Sequence, residues 1–237
     1  MMITEILSKW CAENGISISQ TQTDAFENYA ALLIEWNKKM NLTAITEESD
    51  IAVKHFIDSI SLLKAVEIPE NSSVIDIGTG AGFPGIPLKI MRPDIELTLL
   101  DSLNKRLIFL EEVCRKLNIK AALIHGRAEE FSHDKKYREN FDFAVSRAVA
   151  NLPALCEYCI PYVKTGGSFA AMKGPDGNAE LEAAAKAVKT LGCTVAGAET
   201  LTLPDNISRT IIELRKVSPT PPAYPRKSTK INKNPII

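Results

Sequence analysis

Apolar residues recur with a period near 3.6 along the first 70 positions, the spacing of helices with one buried face. "TEILSKWCAEN" aligns Ile6, Leu7, Trp10 and Cys11. "TQTDAFENYAALLIEWNKKM" continues through Phe26, Tyr29, Ala30, Leu33, Ile34 and Trp36 behind a cap at Thr23, and "ESDIAVKHFIDSISLLKAV" turns Ile51, Phe56, Ile60 and Leu63 inward. After "EIPENSS" the texture changes. The short apolar runs "SVIDI", "ELTLLD", "AALIHG", "FDFAVS" and "GSFAAMK" alternate with helix-length stretches, the clearest being "SLNKRLIFLEEVCRKLN" with its stripe of Leu103, Leu107, Leu110, Val113, Cys114 and Leu117. Such alternation predicts parallel strands joined by right-handed crossovers. Near the end, "GCTVAGAETLTL" and "SRTIIELRKV" follow one another with no helix between, which predicts an antiparallel hairpin at a sheet edge. The expected fold is α/β: a doubly wound, Rossmann-like sheet, parallel with a C-terminal antiparallel edge hairpin, plus an N-terminal helical extension. The expected segments are 1–70 (helical extension), 71–217 (sheet domain) and 218–237 (tail).

With 237 residues, 45% of them hydrophobic, the chain can bury a substantial core. Glu5, Lys9 and Glu13 interrupt any apolar leader in the first fifteen residues. No run approaches the roughly 20 apolar residues of a membrane span, so a soluble, cytoplasmic protein is expected. Five cysteines, an odd number, suit a reducing compartment. Cys156 and Cys159 lie on one helical face with no second pair at zinc-ligand spacing, and His125 and His133 have no partners at ligand spacing, so no metal is expected. Net charge is only −1, but it is unevenly spread. Residues 1–70 hold eleven acids against five bases, whereas residues 214–237 hold six bases (Arg215, Lys216, Arg226, Lys227, Lys230, Lys233) and no acid. That end fits either a solvated, disordered tail or a set of phosphate contacts.

The candidate chemistry begins at "VIDIGTGAGFPGIPL", Val74 to Leu88. A glycine turn between a strand and a helix lets backbone amides approach an anionic or polar ligand. Two templates overlap here. Gly80, Gly82 and Gly85 match the dinucleotide pattern G-x-G-x-x-G, while Asp76, Gly78, Gly80 and Gly82 match D-x-G-x-G-x-G, the turn of S-adenosylmethionine-dependent methyltransferases. The strand ends against Gly78, which favours the second template. A carboxylate at Asp76 suits a cofactor bearing ammonium and sulfonium charges better than a pyrophosphate, because like charges repel. Asp101 ends the next strand, where an acid accepts hydrogen bonds from ribose hydroxyls in either cofactor. A nicotinamide-dependent oxidoreductase therefore stands as the enzyme alternative.

The fourth strand ends in "SRAVANLP", where many amino-group methylases carry Asn-Pro-Pro-Tyr, and no Pro-Cys or Thr-Cys-Pro supplies the thiolate that cytosine-carbon methylation requires. A ring nitrogen with an in-plane lone pair, such as guanine N7, needs neither device.

As an ordered set, "EWNKKMNLTAI", "KHFIDS", "DIGTGAGFPGIPL", "LLDSLNKRLIFL", "HGRAEEF", "VSRAVANL", "MKGP" and "YPRK…NKNPI" resemble the bacterial small-subunit (16S) ribosomal RNA guanine-N7 methyltransferases, the glucose-inhibited division protein B family, from about Trp36 to Pro235. The resemblance implies a class I methyltransferase sheet, S-adenosyl-L-methionine as methyl donor and ribosomal RNA or the small subunit as partner. It places Gly78, Gly80 and Phe83 in the donor-binding turn beside Asp101, puts Ala128 and Glu129 against adenine, and makes Arg147 close the pocket. Lys38, Asn41, His55, Lys173, Arg226, Lys227, Lys230 and Lys233 become candidates for RNA contact. No side chain is assigned to the chemistry itself, a monomer is expected, and a noncatalytic RNA-binding or assembly protein is the non-enzyme alternative.

Overall fold

The computed structural model describes residues 2–237. Helices α1 (Ile3–Glu13) and α2 (Gln20–Met40) occupy the predicted stretches. The cap of α2 is Ser19, not Thr23. Ser19 Oγ accepts from Gln22 N at 3.3 Å and Gln22 Oε1 accepts from Ser19 N at 2.8 Å, the reciprocal arrangement of a capping box. Thr23 lies inside the first turn, where its hydroxyl bonds back to Gln20 O. The third pattern does not make one helix. It yields α3 (Glu48–Ile51), a π-helical stretch over Ala52–Ile57, α4 (Asp58–Ile60) and α5 (Leu62–Ala65). Wide turns of this kind recur at functional sites, and this one has a role described below.

The rest of the chain alternates as expected: β1 (Ser73–Ile77), α6 (Gly85–Met91), β2 (Glu96–Asp101), α7 (Asn104–Lys116), β3 (Ala121–His125), α8 (Ala128–Phe131), β4 (Phe141–Arg147), α9 (Leu152–Cys159), β5 (Val163–Lys173), α10 (Gly177–Ala183), α11 (Ala185–Thr190), β6 (Cys193–Leu203), β7 (Ile207–Lys216) and α12 (Ser228–Lys233). The seven strands run in the order β3-β2-β1-β4-β5-β7-β6. β1 through β5 pair in parallel, and β7 inserts antiparallel between β5 and β6. Strand order reverses between β1 and β4, so the crevice outside their C-terminal ends is where a sheet of this kind holds a ligand.

Alternation along β1 shows how the layers form. Val74 joins a core shared with α1, α2, the π-helical stretch, α6 and α7, while Ile75 and Ile77 join the core on the opposite face with α9, α11 and α12. Residues of the N-terminal helices, among them Phe26, Tyr29 and Phe56, therefore share one continuous core with Leu99, Phe109 and Val145 of the sheet domain. The C-terminal segment is likewise built in. Ile231 of α12 is fully buried and Ile236 nearly so, both in the core beneath α9. A folded strap replaces the solvated tail that charge alone allows.

Cys156 and Cys159 are buried on α9, as small apolar residues. Among the described residues no helix is long and apolar enough to cross a membrane, and no group of three or more His, Cys, Asp or Glu side chains is placed to hold a metal ion.

Candidate active site

The turn after β1 is held from beneath. Gly78 N and Thr79 N donate to Leu100 O at 2.9 and 3.1 Å, and Gly80 N donates to Asp101 Oδ2 at 2.9 Å. Two glycines are required by geometry. Gly82 adopts φ +98°, and a Cβ there would meet Tyr29 Oη at 2.5 Å; Tyr29 itself donates to Ala81 O. Gly78 adopts φ +71°, and its Cβ would lie 2.6 Å from Val149 Cγ2, a side chain arching over from the loop after β4.

Asp76 does not face the crevice. On the same face of β1 as Val74, it is fully buried, with Oδ2 accepting from Thr79 Oγ1 at 2.7 Å and Gly85 N at 2.9 Å. Oδ1 has no partner among the described residues. Burial pushes its carboxyl up to about 6, despite the hydrogen bonds that favour ionisation. Asp76 therefore shapes the turn from the inside, and the expectation that its charge meets a cationic ligand directly gives way.

Two hollows flank the turn, with Gly78, Ser102 and Val149 common to both. The first, of about 390 Å³, is lined by Thr43, His55, Gly80, Phe83, Asp101, Arg106 and Arg147 among others. The second, of about 290 Å³, is lined by Gly126 to Glu129, Tyr158 and three residues of the C-terminal segment. Together they fall within the usual size of small-molecule sites, about 300–1,000 Å³. A larger hollow of about 670 Å³ around Trp10 and Pro204 shares no residue with the turn.

The first hollow is the more tightly braced. The His55 ring stacks on Phe83 with centroids 4.4 Å apart, and the Arg147 guanidinium lies 5.0 Å from the same ring. Arg147 Nη1 donates to Asp58 Oδ2 at 2.9 Å and to the carbonyls of Lys54 and His55, which the π-helical stretch turns toward it. Asp58, 2% exposed, takes a second cation through Oδ1, at 2.9 Å from Arg209 Nε on β7. Because Arg147 Nη2 donates to His55 Nδ1 at 3.3 Å, the imidazole proton sits on Nε2, which donates to Thr43 Oγ1 at 2.9 Å. Burial and the neighbouring Arg147 charge drive His55 down to about 3, so it stays neutral. Asp101 is engaged on both oxygens. Besides Gly80 N, it accepts from Leu103 N at 2.9 Å and from Arg106 Nη1 at 3.1 Å. Arg106, one-third exposed, is the contact a ligand hydroxyl can displace most readily.

In the second hollow, Ala128 and Glu129 form the first turn of α8, whose leading amides have no intrahelical acceptor. The structure thus gathers Gly78, Gly80, Phe83, Asp101, Ala128, Glu129 and Arg147 around one crevice, with His55 among them.

The RNA candidates are dispersed. Lys38 and Asn41 are exposed at the C-terminal end of α2, and Asn41 closes that helix at φ +49°. Lys227, Lys230 and Lys233 are exposed on and beside α12. Two others are consumed internally. Lys173 is buried, donating to Ala150 O and pairing with Glu180, both at 2.8 Å, which ties down the loop that carries Val149. Arg226 makes a bidentate pair with the fully buried Glu157 on α9 and anchors the C-terminal strap. Neither presents a free cation to a phosphate.

Sequence reasoning did not find Thr43, Arg106, Val149, Tyr158, Arg209 or the lining residues of α12. Arg209 lies 151 positions from Asp58, and no local spacing announces such a pair.

The sheet order and the glycine turn at its switch point define a class I methyltransferase fold. The same fold occurs in the precorrin-6y C5,15-methyltransferase of Geobacter metallireducens, at a TM-score of 0.51 and 14% identity over 72% of this chain and 90% of that one. It occurs too in TYW2 of M. jannaschii, solved in complex with AdoMet, at a TM-score of 0.51 and 12% identity over 85% and 79%. Sequence carries the relationship further. The GidB family model, described as rRNA small subunit methyltransferase G, matches residues 22–208. Proteins named ribosomal RNA small subunit methyltransferase G are 50% identical in Desulforamulus reducens, over 99% of this chain and 98% of that protein, and 48% identical in Alkaliphilus oremlandii, over the full length of both. The chain belongs to the rRNA small subunit methyltransferase G family.

Proposed function

We propose that this protein transfers a methyl group from S-adenosyl-L-methionine to N7 of a guanine in 16S ribosomal RNA, working as a cytoplasmic monomer. The observation that carries the reading is the full-length similarity to proteins of that name together with a glycine-turn crevice at the switch point of the sheet. The crevice fits such a donor on chemical grounds. Its two halves meet at a side-chain-free Gly78, Phe83 adds apolar surface to the lining, Asp101 a carboxylate, and Ala128 and Glu129 leading amides. Bound there, the donor supplies an electrophilic methyl on a sulfonium.

What the chain's own residues do follows from their states. The first hollow holds no free base: Asp58 and Asp101 are committed to arginines, and His55 is neutral with both nitrogens engaged. Proton removal is therefore not available, which suits an acceptor that reacts through a lone pair and has no proton to lose. Catalysis then rests on holding the two reactants in line and excluding water. Arg147, braced by Asp58 and two carbonyls, holds the His55 ring by its Nδ1 and lies beside the Phe83 ring on which His55 stacks. Lys38, Lys227, Lys230 and Lys233 are the exposed cations that contact RNA phosphates, making binding salt-dependent. In functional terms, residues 1–70 brace the first hollow, 71–217 carry the donor crevice and 218–237 combine RNA contact with closure of the second hollow.

The test is transfer of labelled methyl from S-adenosyl-L-methionine to small-subunit ribosomal RNA, with the product read by mass spectrometry of nuclease digests. Label recovered as 7-methylguanosine supports the reading. Label in another nucleoside overturns the N7 assignment. Absence of transfer, with S-adenosylhomocysteine failing to bind while NAD(H) binds, returns the oxidoreductase alternative.

A further inference from the structure

The second hollow has a wall that the glycine turn does not explain. Ser228, Thr229 and Asn232, from the last dozen residues of the chain, line it opposite Gly126 to Glu129. Three contacts set that wall. Ile231 is buried in the core under α9, Arg226 clamps Glu157, and Asn232 Oδ1 accepts from Tyr158 Oη at 3.1 Å. The last contact matters most. Tyr158 also lines the hollow, and by bonding the amide oxygen it orients the Asn232 side chain while leaving the Nδ2 hydrogens without an acceptor among the described residues.

A carboxamide held in this way offers one remaining acceptor lone pair beside two free donor hydrogens. Adenine offers the complement: an exocyclic amino donor beside a ring-nitrogen acceptor, the pairing by which Asn reads that base elsewhere. We propose that Asn232 recognises the adenine ring of the methyl donor, so that the C-terminal strap is a working part of the donor site. The inference rests on the donor reading above and adds to it a residue and a discrimination. It also gives a reason for burying Glu157 under Arg226: the ion pair holds the adenine-reading helix in place.

The experiment is calorimetric titration of the full-length protein with S-adenosylhomocysteine and with S-inosylhomocysteine, in which a carbonyl replaces the 6-amino group. Wild type should prefer the adenosyl ligand by about tenfold or more, because a site built to pair with an amino group rejects its replacement. Asn232→Ala should lose about fivefold in adenosyl affinity, the scale of one net hydrogen bond, while inosyl affinity stays level and the preference shrinks. Asn232→Leu, close in size but without either polar atom, should shrink the preference likewise. An unchanged unfolding midpoint confirms that each variant folds. Equal weakening toward both ligands, or no weakening, overturns the assignment and leaves Asn232 a structural residue. If wild type binds neither ligand, it is the donor reading itself that fails.

Discussion

The two hollows on either side of Val149 are built in opposite ways. The first is walled by side chains from widely separated positions, Thr43, His55, Phe83, Asp101 and Arg147, and continues into the core shared by the N-terminal helices and the sheet. Its charges are paired, its rings stacked, and its one imidazole neutral. The second has a fixed floor of backbone after β3, but its outer wall is a six-residue helix near the chain end, seated by Ile231 and Ile236, by the Arg226–Glu157 pair and by hydrogen bonds such as that from Tyr158 to Asn232. The contrast teaches that the first hollow is preorganised by contacts spread across the whole fold, whereas the second depends on a segment added at the end of the chain.

The variant that breaks this comparison most severely is Asp58→Ala. It strands Arg147 and Arg209 without their shared carboxylate, and removing one partner of a buried pair costs about 3–5 kcal/mol. Urea unfolding measures it, and a loss under about 1 kcal/mol would mean that the first hollow is not braced as described. Next comes Asp101→Ala, expected to weaken S-adenosylhomocysteine binding by roughly 1–3 kcal/mol, partly through the ribose and partly because Gly80 N and Leu103 N lose their acceptor. Unaltered affinity in calorimetry would remove Asp101 from the donor site.

Truncation after Ser218 sharpens the contrast from the other side. For a merely solvated basic tail, such a cut would weaken RNA binding and spare the donor. With α12 walling the second hollow, donor affinity should instead fall about tenfold, about 1.4 kcal/mol, and RNA binding should lose salt dependence as Lys227, Lys230 and Lys233 go. A truncated protein that binds S-adenosylhomocysteine as tightly as the full chain would restore the simpler picture.

The smallest net effect is a pH slope, because two groups act in opposite directions. His55 is held near 3 against an ordinary 6.5, so the unfolded chain takes up a proton that the folded one refuses, and stability falls as pH drops from about 6.5 toward 3. Asp76 acts the other way. Its carboxyl is raised to about 6 from 3.8, so its contribution is present at low pH and is lost as pH rises through about 6. His55→Gln should flatten the acid decline and Asp76→Asn should steepen it, both read from unfolding midpoints between pH 4 and 7. Parallel profiles for all three proteins would contradict the assigned states.

What was legible in the sequence was local. The acid-glycine turn, the strand-terminal Asp101 and the edge hairpin each rest on neighbours within a few residues, and all are found in place. What was not legible depends on distant partners. Thr23 and Ser19 offer similar capping chemistry, and Gln22, three residues after Ser19, decides between them. Asp76 reads as a ligand-facing charge until the pleat of β1 turns it under the loop. Arg226 and Lys173 read as free cations because Glu157 and Glu180, which neutralise them, lie 69 and 7 positions away with nothing to mark the pairing. Asn232 has no signal at all before α12 folds back onto α9.

The central claim, that one methyl donor spans both hollows across Gly78, is tested most directly by solving the structure with S-adenosylhomocysteine bound. The account predicts the adenine between Ala128–Glu129 and Asn232, and the sulfur on the Phe83 and Arg147 side of Val149. Ligand density in the hollow around Trp10, or none in the crevice at saturating ligand, would contradict it.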